Sequence, residues 1–193
     1  MRLFSAVVPP AEAVRSLQAA LAVAPRGAGL RWVPSGQWHI TLGFYGEDDL
    51  VARVAWLRRR LAGLPAPALR LTGAGTFPGV LWVGVDGQLT ALAAAAGATV
   101  DDPTGPASAA GTTDGTTGGA AGAATEDLPF HPHLTLARGR VRSERRRWVD
   151  LLAGYAGPRW TATEVVLLSS ELGPGGPHYT PVERFALAAG AAG

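Results

Sequence analysis

The chain has 193 residues, 47% of them apolar and 17% charged, which gives one domain with a sizeable core and excludes a wholly disordered protein. All 17 basic residues are arginine, the formal net charge is +2, and there is no cysteine, which excludes disulfides, thiolate zinc sites and a cysteine nucleophile. Arginine keeps its charge at any working pH and offers a planar fork to phosphate, so clustered arginines would suit a nucleic-acid partner.

Leu3 to Val8 reads as a strand that stops at Pro9-Pro10, too short and too proline-cut for a signal peptide. Pro10 opens a helix with Val14, Leu17 and Leu21 as its stripe, ended by Pro25. Trp32–Val33 and Trp38–Phe44 have strand character and are parted by Pro34-Ser35-Gly36. The clearest helix follows, with acidic residues at its start, a stripe of Leu50, Val54, Leu57 and Leu61, Arg58 to Arg60 near its end, and Gly63 as the cap. Leu69 to Phe77 and Val80 to Val85 form a predicted hairpin about Pro78-Gly79, and a short alanine-rich helix begins near Gln88.

Residues 99–127 are almost entirely Gly, Ala, Thr, Asp, Pro and Ser, and read as a disordered inserted loop within a single domain spanning residues 1–193. His133 to Leu136 is strand-like, and Ser143 is placed to cap a helix reaching about Leu152. Ala162 to Ser169 and Val182 to Leu187 read as strands. The order predicts an α+β fold with mostly antiparallel sheets. No glycine-rich phosphate loop opens a helix, and no run is long enough to span a membrane. A cytoplasmic monomer is the expectation.

Two of the four histidines begin nearly the same tetrapeptide, His39-Ile40-Thr41-Leu42 and His133-Leu134-Thr135-Leu136, each followed by a small residue, Gly43 and Ala137. At this composition such a pair arises by accident roughly once in a thousand sequences. On a strand, alternate side chains share a face, so each motif sends a histidine and a threonine one way and its apolar residues into a core. Two imidazoles around one space suit phosphodiester cleavage: a neutral ring takes a proton from water and a protonated one gives a proton to the leaving oxygen. Threonine hydroxyls can donate to the non-bridging oxygens as charge develops there. A strained cyclic phosphate needs no metal for this, so no cofactor is expected.

The motif pair resembles the signature of the two-histidine (2H) phosphoesterases. RWVPSGQWHITLGFYGE, PFHPHLTLARGR and the ending LLSSELGPGGPHYTPVERFAL are similar to the bacterial and archaeal RNA 2′,3′-cyclic phosphodiesterases, formerly called 2′-5′ RNA ligases. That resemblance implies a bilobal, pseudo-two-fold fold with helices outside and a central cleft. It implies hydrolysis of 2′,3′-cyclic phosphate ends of RNA, or of cyclic nucleotides, to 2′-phosphomonoesters. It makes His39 the general acid and His133 the general base, with Thr41 and Thr135 holding the phosphate. Nothing in the residues themselves distinguishes the two histidines. The alternatives are a 2H enzyme acting on 2′-5′ linkages or another cyclic nucleotide, and a non-catalytic RNA-end binding module.

Arg138 is a phosphate ligand by the same resemblance, but strict alternation puts it on the face opposite His133, so it reaches the site only if the strand ends or bulges. Phe44 holds the equivalent place after the first motif. It could stack on a base, although an aromatic following Leu42 reads first as core. His131 reads as rim, His178 as part of a Pro/Gly-rich loop, and the H-x-H of His131 and His133 is the one local metal-ligand spacing. Six arginines between Arg138 and Arg147 could track a phosphate backbone, but Arg145 to Arg147 read as the solvated face of a helix. Trp38, Trp56, Trp82 and Trp148 read as core.

Overall fold

The computed structural model describes residues 1–97, 130–173 and 176–189. The inserted loop expected at 99–127 lies outside the described residues. The strands are β1 (Arg2–Val7), β2 (Arg31–Trp32), β3 (Ile40–Glu47), β4 (Ala68–Phe77), β5 (Val80–Asp86), β6 (His133–Arg138), β7 (Ala156–Thr161), β8 (Glu164–Gly173) and β9 (Gly176–Ala186). The helices are α1 (Ala11–Leu21), α2 (Leu50–Leu61), α3 (Thr90–Ala95) and α4 (Arg142–Leu152).

The nine strands of the described residues join one antiparallel sheet in the order β7-β4-β5-β6-β3-β1-β8-β9, with β2 lying beside β6. The sheet has two four-stranded halves, β7-β4-β5-β6 and β9-β8-β1-β3, each with a motif strand innermost. The halves meet at one backbone pair, Ile40 opposite Leu134. Helices α1 and α4 pack on the first half, α2 and α3 on the second. The α+β expectation holds, and the two lobes are the two halves of one sheet rather than separate sheets. Among the described residues, no helix is long and apolar enough to cross a membrane.

Local chemistry explains the elements that frame the site. The Asp49 side chain accepts from the Ala52 N–H at 2.7 Å and caps α2, satisfying an amide that has no partner within the helix. Between β4 and β5, Gly79 takes a φ of 75°, a turn conformation that costs glycine nothing. On β1, Leu3 and Val7 join the helix-covered core, while Phe4 and Ala6 pack with Val166 and Leu168 on the other face.

Several boundaries differ from the sequence expectation. Strand β3 begins at Ile40, because a 3-10 turn at Ser35–Gln37 uses the Trp38 N–H to close on Ser35, which leaves Trp38 and His39 just ahead of the strand. Ser143 lies inside α4; Val141 holds the N-cap position and no side chain caps it. Strand β7 was not expected at all, and β9 starts at Gly176 rather than Val182, so His178 sits in a strand and not in a loop.

Candidate active site

The two motifs lie side by side where the halves meet. Ile40, Leu42, Leu134 and Leu136 are no more than 1% exposed and belong to the core under the helices. Burying each such side chain contributes roughly 2–3 kcal/mol, which fixes which face of each strand points inward. The opposite face carries Thr41, His133 and Thr135, and with His39 they line one cleft of about 410 Å³. The structure therefore brings together all four motif side chains singled out in the sequence.

Arg138 and Phe44 join them through a pair of bulges. Opposite Leu81 and Trp82 of β5 stand Ala137 and Thr135, so Leu136 is an extra residue in β6. Opposite Ser5 and Ala6 of β1 stand Gly43 and Thr41, so Leu42 is extra in β3. The fourth residue of each tetrapeptide is thus the bulged one. A bulge reverses the alternation beyond it, so Leu136 and Ala137 both face the core and Arg138 returns to the face of His133 and Thr135. In β3 the same shift brings Phe44 to the cleft; it is 37% exposed, so the expectation that it is core does not hold.

Each histidine is anchored in the same way. Nδ1 of His39 lies 2.7 Å from the Gln37 carbonyl oxygen, and Nδ1 of His133 lies 2.8 Å from that of His131. A carbonyl only accepts, so each Nδ1 carries a hydrogen and Nε2 is the nitrogen left for chemistry. Aromatic rings fix the planes. His39 meets Phe4 at 5.0 Å and the edge of Tyr179 at 5.1 Å between centroids. His133 meets Phe77 edge-on at 4.9 Å, and Trp82 lies 6.2 Å away. The Trp82 ring fits there because Gly75, opposite it on β4, has no Cβ: one would sit 2.3 Å from the indole.

Burial among these rings pushes both imidazoles toward the neutral form. It holds His39 down to about 4, with the charges of His133 and Arg138 adding to the effect against the opposing bond to Gln37. His133 is lowered too, first by burial and then by His131 and Arg138. The cleft is electropositive all the same. Arg2, Arg31 and Arg138 line it, and among the described residues no Asp or Glu does. Such a site favours an anion.

Several cleft residues lie outside both motifs. Arg2, Phe4, Arg31 and Tyr179 come from β1, β2 and β9, and only the pairing of those strands brings them to the motifs. Nothing local singles out Tyr179, whose neighbours His178 and Thr180 are polar as well, so no period of two marks it. Of the other histidines, His131 is exposed on the rim, its ring 4.7 Å from Trp82, and contributes its carbonyl to His133. His178 is exposed and faces Glu171 across the β8–β9 pair. Among the described residues, no three His, Asp or Glu gather as metal ligands. Arg145 is not solvated as expected; it is 7% exposed and donates to the Gly139 carbonyl. Trp38 and Trp148 are core, at 4% and 1% exposure, whereas Trp82 is a wall of the His133 pocket and Trp56 lies half-buried under Arg53 and Arg60.

The chain and its fold have counterparts in known proteins. Residues 6–83 match the family described as LigT-like phosphoesterase. A Thermus thermophilus protein named RNA 2′,3′-cyclic phosphodiesterase is 35% identical over 198 residues, which cover 97% of this chain and 90% of that protein. Among solved structures, TT0787 of Thermus thermophilus superposes with a TM-score of 0.66 and 29% identity over 100% of both chains. Escherichia coli LigT in complex with ATP gives a TM-score of 0.64 and 25% identity over 96% of each chain. The likeness runs through nearly the whole chain and both sheet halves, and so this chain belongs to the LigT-like phosphoesterases of the two-histidine superfamily.

Proposed function

We propose that the chain hydrolyses the 2′,3′-cyclic phosphate at an RNA end to a 2′-phosphomonoester, with His39 and His133 as the proton-transfer pair. The observation that carries this reading is the matched anchoring of the two imidazoles on adjacent strands of a cleft that arginines make positive. The name of the Thermus thermophilus relative agrees with it.

In the reaction, Nε2 of His133 takes a proton from water as its oxygen attacks phosphorus. The bond from phosphorus to O3′ breaks, and Nε2 of His39 delivers a proton to O3′, leaving a 3′-hydroxyl and a 2′-phosphate. The assignment of acid and base follows the family resemblance. Thr41 and Thr135 donate to the non-bridging oxygens, Arg138 balances their growing charge, and Phe44 offers a face to a base. His39 is neutral in the empty cleft at pH 7, so its acid form arises when the anionic phosphate arrives and raises its affinity for a proton. One copy of the chain supplies both motifs, so a monomer suffices, and with no sign of an oxidising compartment in the sequence the cytoplasm is the default location.

The test is a 2′,3′-cyclic mononucleotide incubated with the protein in excess EDTA and followed by phosphorus NMR. A 2′-monophosphate is expected from the wild type. H39A and H133A should each lose at least 100-fold in rate while staying folded. Turnover that survives either substitution, or that EDTA abolishes, would mean that other groups carry the reaction.

A further inference from the structure

Strand β2 is two residues long and pairs with the end of β6, Arg31 opposite Arg138 and Trp32 opposite Ala137. Residues directly opposite in an antiparallel pair project from the same face, and like charges in that position repel. Both arginines line the cleft, and among the described residues neither has a carboxylate within ion-pair distance. Arg2 also lines the cleft, and the carboxylate opposite it across the β1–β3 pair, Glu47, is taken by the Met1 amino group at 2.8 Å. Arg138 answers to the reacting phosphate, which leaves Arg31 beside it as a second fork with no counter-charge, placed for a further anion.

The surface beyond Arg31 continues the path. Trp32, Val33 and Pro34 line both the cleft and a second hollow of about 280 Å³. There the Arg26 guanidinium lies 5.0 Å over the centre of the Trp32 ring. Trp32, opposite Ala137, turns its ring to the core side, where it meets Trp148 at 5.0 Å, and Arg26 covers it from the hollow, so the path outward from the histidines runs over cations, Arg138, Arg31 and then Arg26.

We propose that β2 carries the RNA chain away from its cyclic end. Arg31 binds the phosphodiester on the 5′ side of the terminal nucleotide, and the hollow at Trp32 and Arg26 takes the nucleotide beyond. This rests on the RNA-end reading above and adds that the enzyme prefers an oligonucleotide to a cyclic mononucleotide.

The experiment compares kcat/KM for a trinucleotide ending in a 2′,3′-cyclic phosphate with that for a 2′,3′-cyclic mononucleotide, across a salt series, in wild type, R31Q, R31K and R26Q. The wild type should favour the trinucleotide. R31Q should cut the trinucleotide-to-mononucleotide ratio about tenfold, mainly through KM, and lower the salt slope for the trinucleotide by about one. R31K should keep part of the preference, and R26Q should reduce it less than R31Q does. A ratio unchanged in R31Q overturns the proposal, whether because both rates fall together, as for a contact to the reacting phosphate, or because neither moves. If the wild type hydrolyses neither substrate, the RNA-end reading has failed on its own. Fluorescence anisotropy with a labelled trinucleotide 3′-phosphate, competed by a nucleoside 3′-phosphate, then decides about Arg31: equal trinucleotide affinity in wild type and R31Q overturns it.

Discussion

At the scale of single residues, the proposed mechanism needs His39 and His133 in different protonation states, and their surroundings set the pH at which that happens. In the free enzyme both titrate below the ordinary histidine value of 6.5, His39 near 4, because burial disfavours the imidazolium and Arg138 faces both. The competent pair holds one proton, and that form is populated only between the two titrations. We therefore expect kcat/KM to peak below pH 6.5 and to fall about tenfold per unit above it. The phosphodiester stays a monoanion throughout, so the limb belongs to the enzyme. R138Q removes a cation that suppresses both protonations: the alkaline limb should move to higher pH while kcat/KM falls about tenfold or more from the lost phosphate contact. Initial rates from pH 4.5 to 8.5 check both points, and a profile flat from 6.5 to 8.5 would count against proton transfer by this pair. The two histidines and two threonines were legible because each motif is local and the second repeats the first. Arg31, Phe4 and Tyr179 were not, because their places in the cleft depend on strands paired across long stretches of chain.

At the scale of elements, the bulges decide which residues face the cleft. A period of two, read strictly, sends Arg138 and Phe44 to the core; the extra residues at Leu136 and Leu42 bring them back. A bulge is a relation between a strand and its partner, so a single strand's sequence does not reveal it. The same holds for the break in symmetry after the bulge, where β6 has Ala137 and β3 has Gly43. A Cβ at Gly43 would lie 2.6 Å from the Ala96 carbonyl oxygen at the end of α3, where the Tyr45 hydroxyl donates at 2.9 Å. G43A should therefore push α3 off β3 and cost about 1–3 kcal/mol, read as a lower urea midpoint. An unchanged midpoint would mean that α3 yields freely there. Helix α2 was legible nearly to the residue because stripe, cap and charge order agree. Strand β7 was not, because Gly157 and Pro158 look like a loop; it is an edge strand paired only with β4, where a proline is tolerated. Gly176, Pro177 and Pro181 hid the first half of β9, the other edge, in the same way.

At the scale of the whole molecule, the fold places two nearly neutral imidazoles at the junction of its halves, and stability depends on pH for that reason. An unfolded chain protonates its histidines near 6.5, whereas the folded chain resists until about 4 at His39 and to a lesser value than usual at His133. Between those limits the unfolded state binds more protons, so stability falls as pH falls, and above 6.5 nothing further is gained from these groups. At the alkaline end Tyr45 acts in the opposite sense. Burial raises its hydroxyl to about 12, so its contribution is intact below the ordinary 10 and is lost as pH rises through 12. The carboxylates also titrate in the acid range, which is why a comparison isolates the histidines better than a single curve. Urea unfolding of the wild type and of an H39Q–H133Q double variant at pH 7.5 and pH 5 shares every carboxylate between the two proteins. The wild type should lose about 1–3 kcal/mol more than the variant over that interval, an amount limited by the partial exposure of both rings. An oxyanion such as sulfate should restore more stability to the wild type at pH 5 than at pH 7.5, because it binds the cleft together with the protons that burial otherwise excludes. Equal losses in the two proteins would mean that water reaches the imidazoles freely, and the acid displacement of the kcat/KM profile would fail with it.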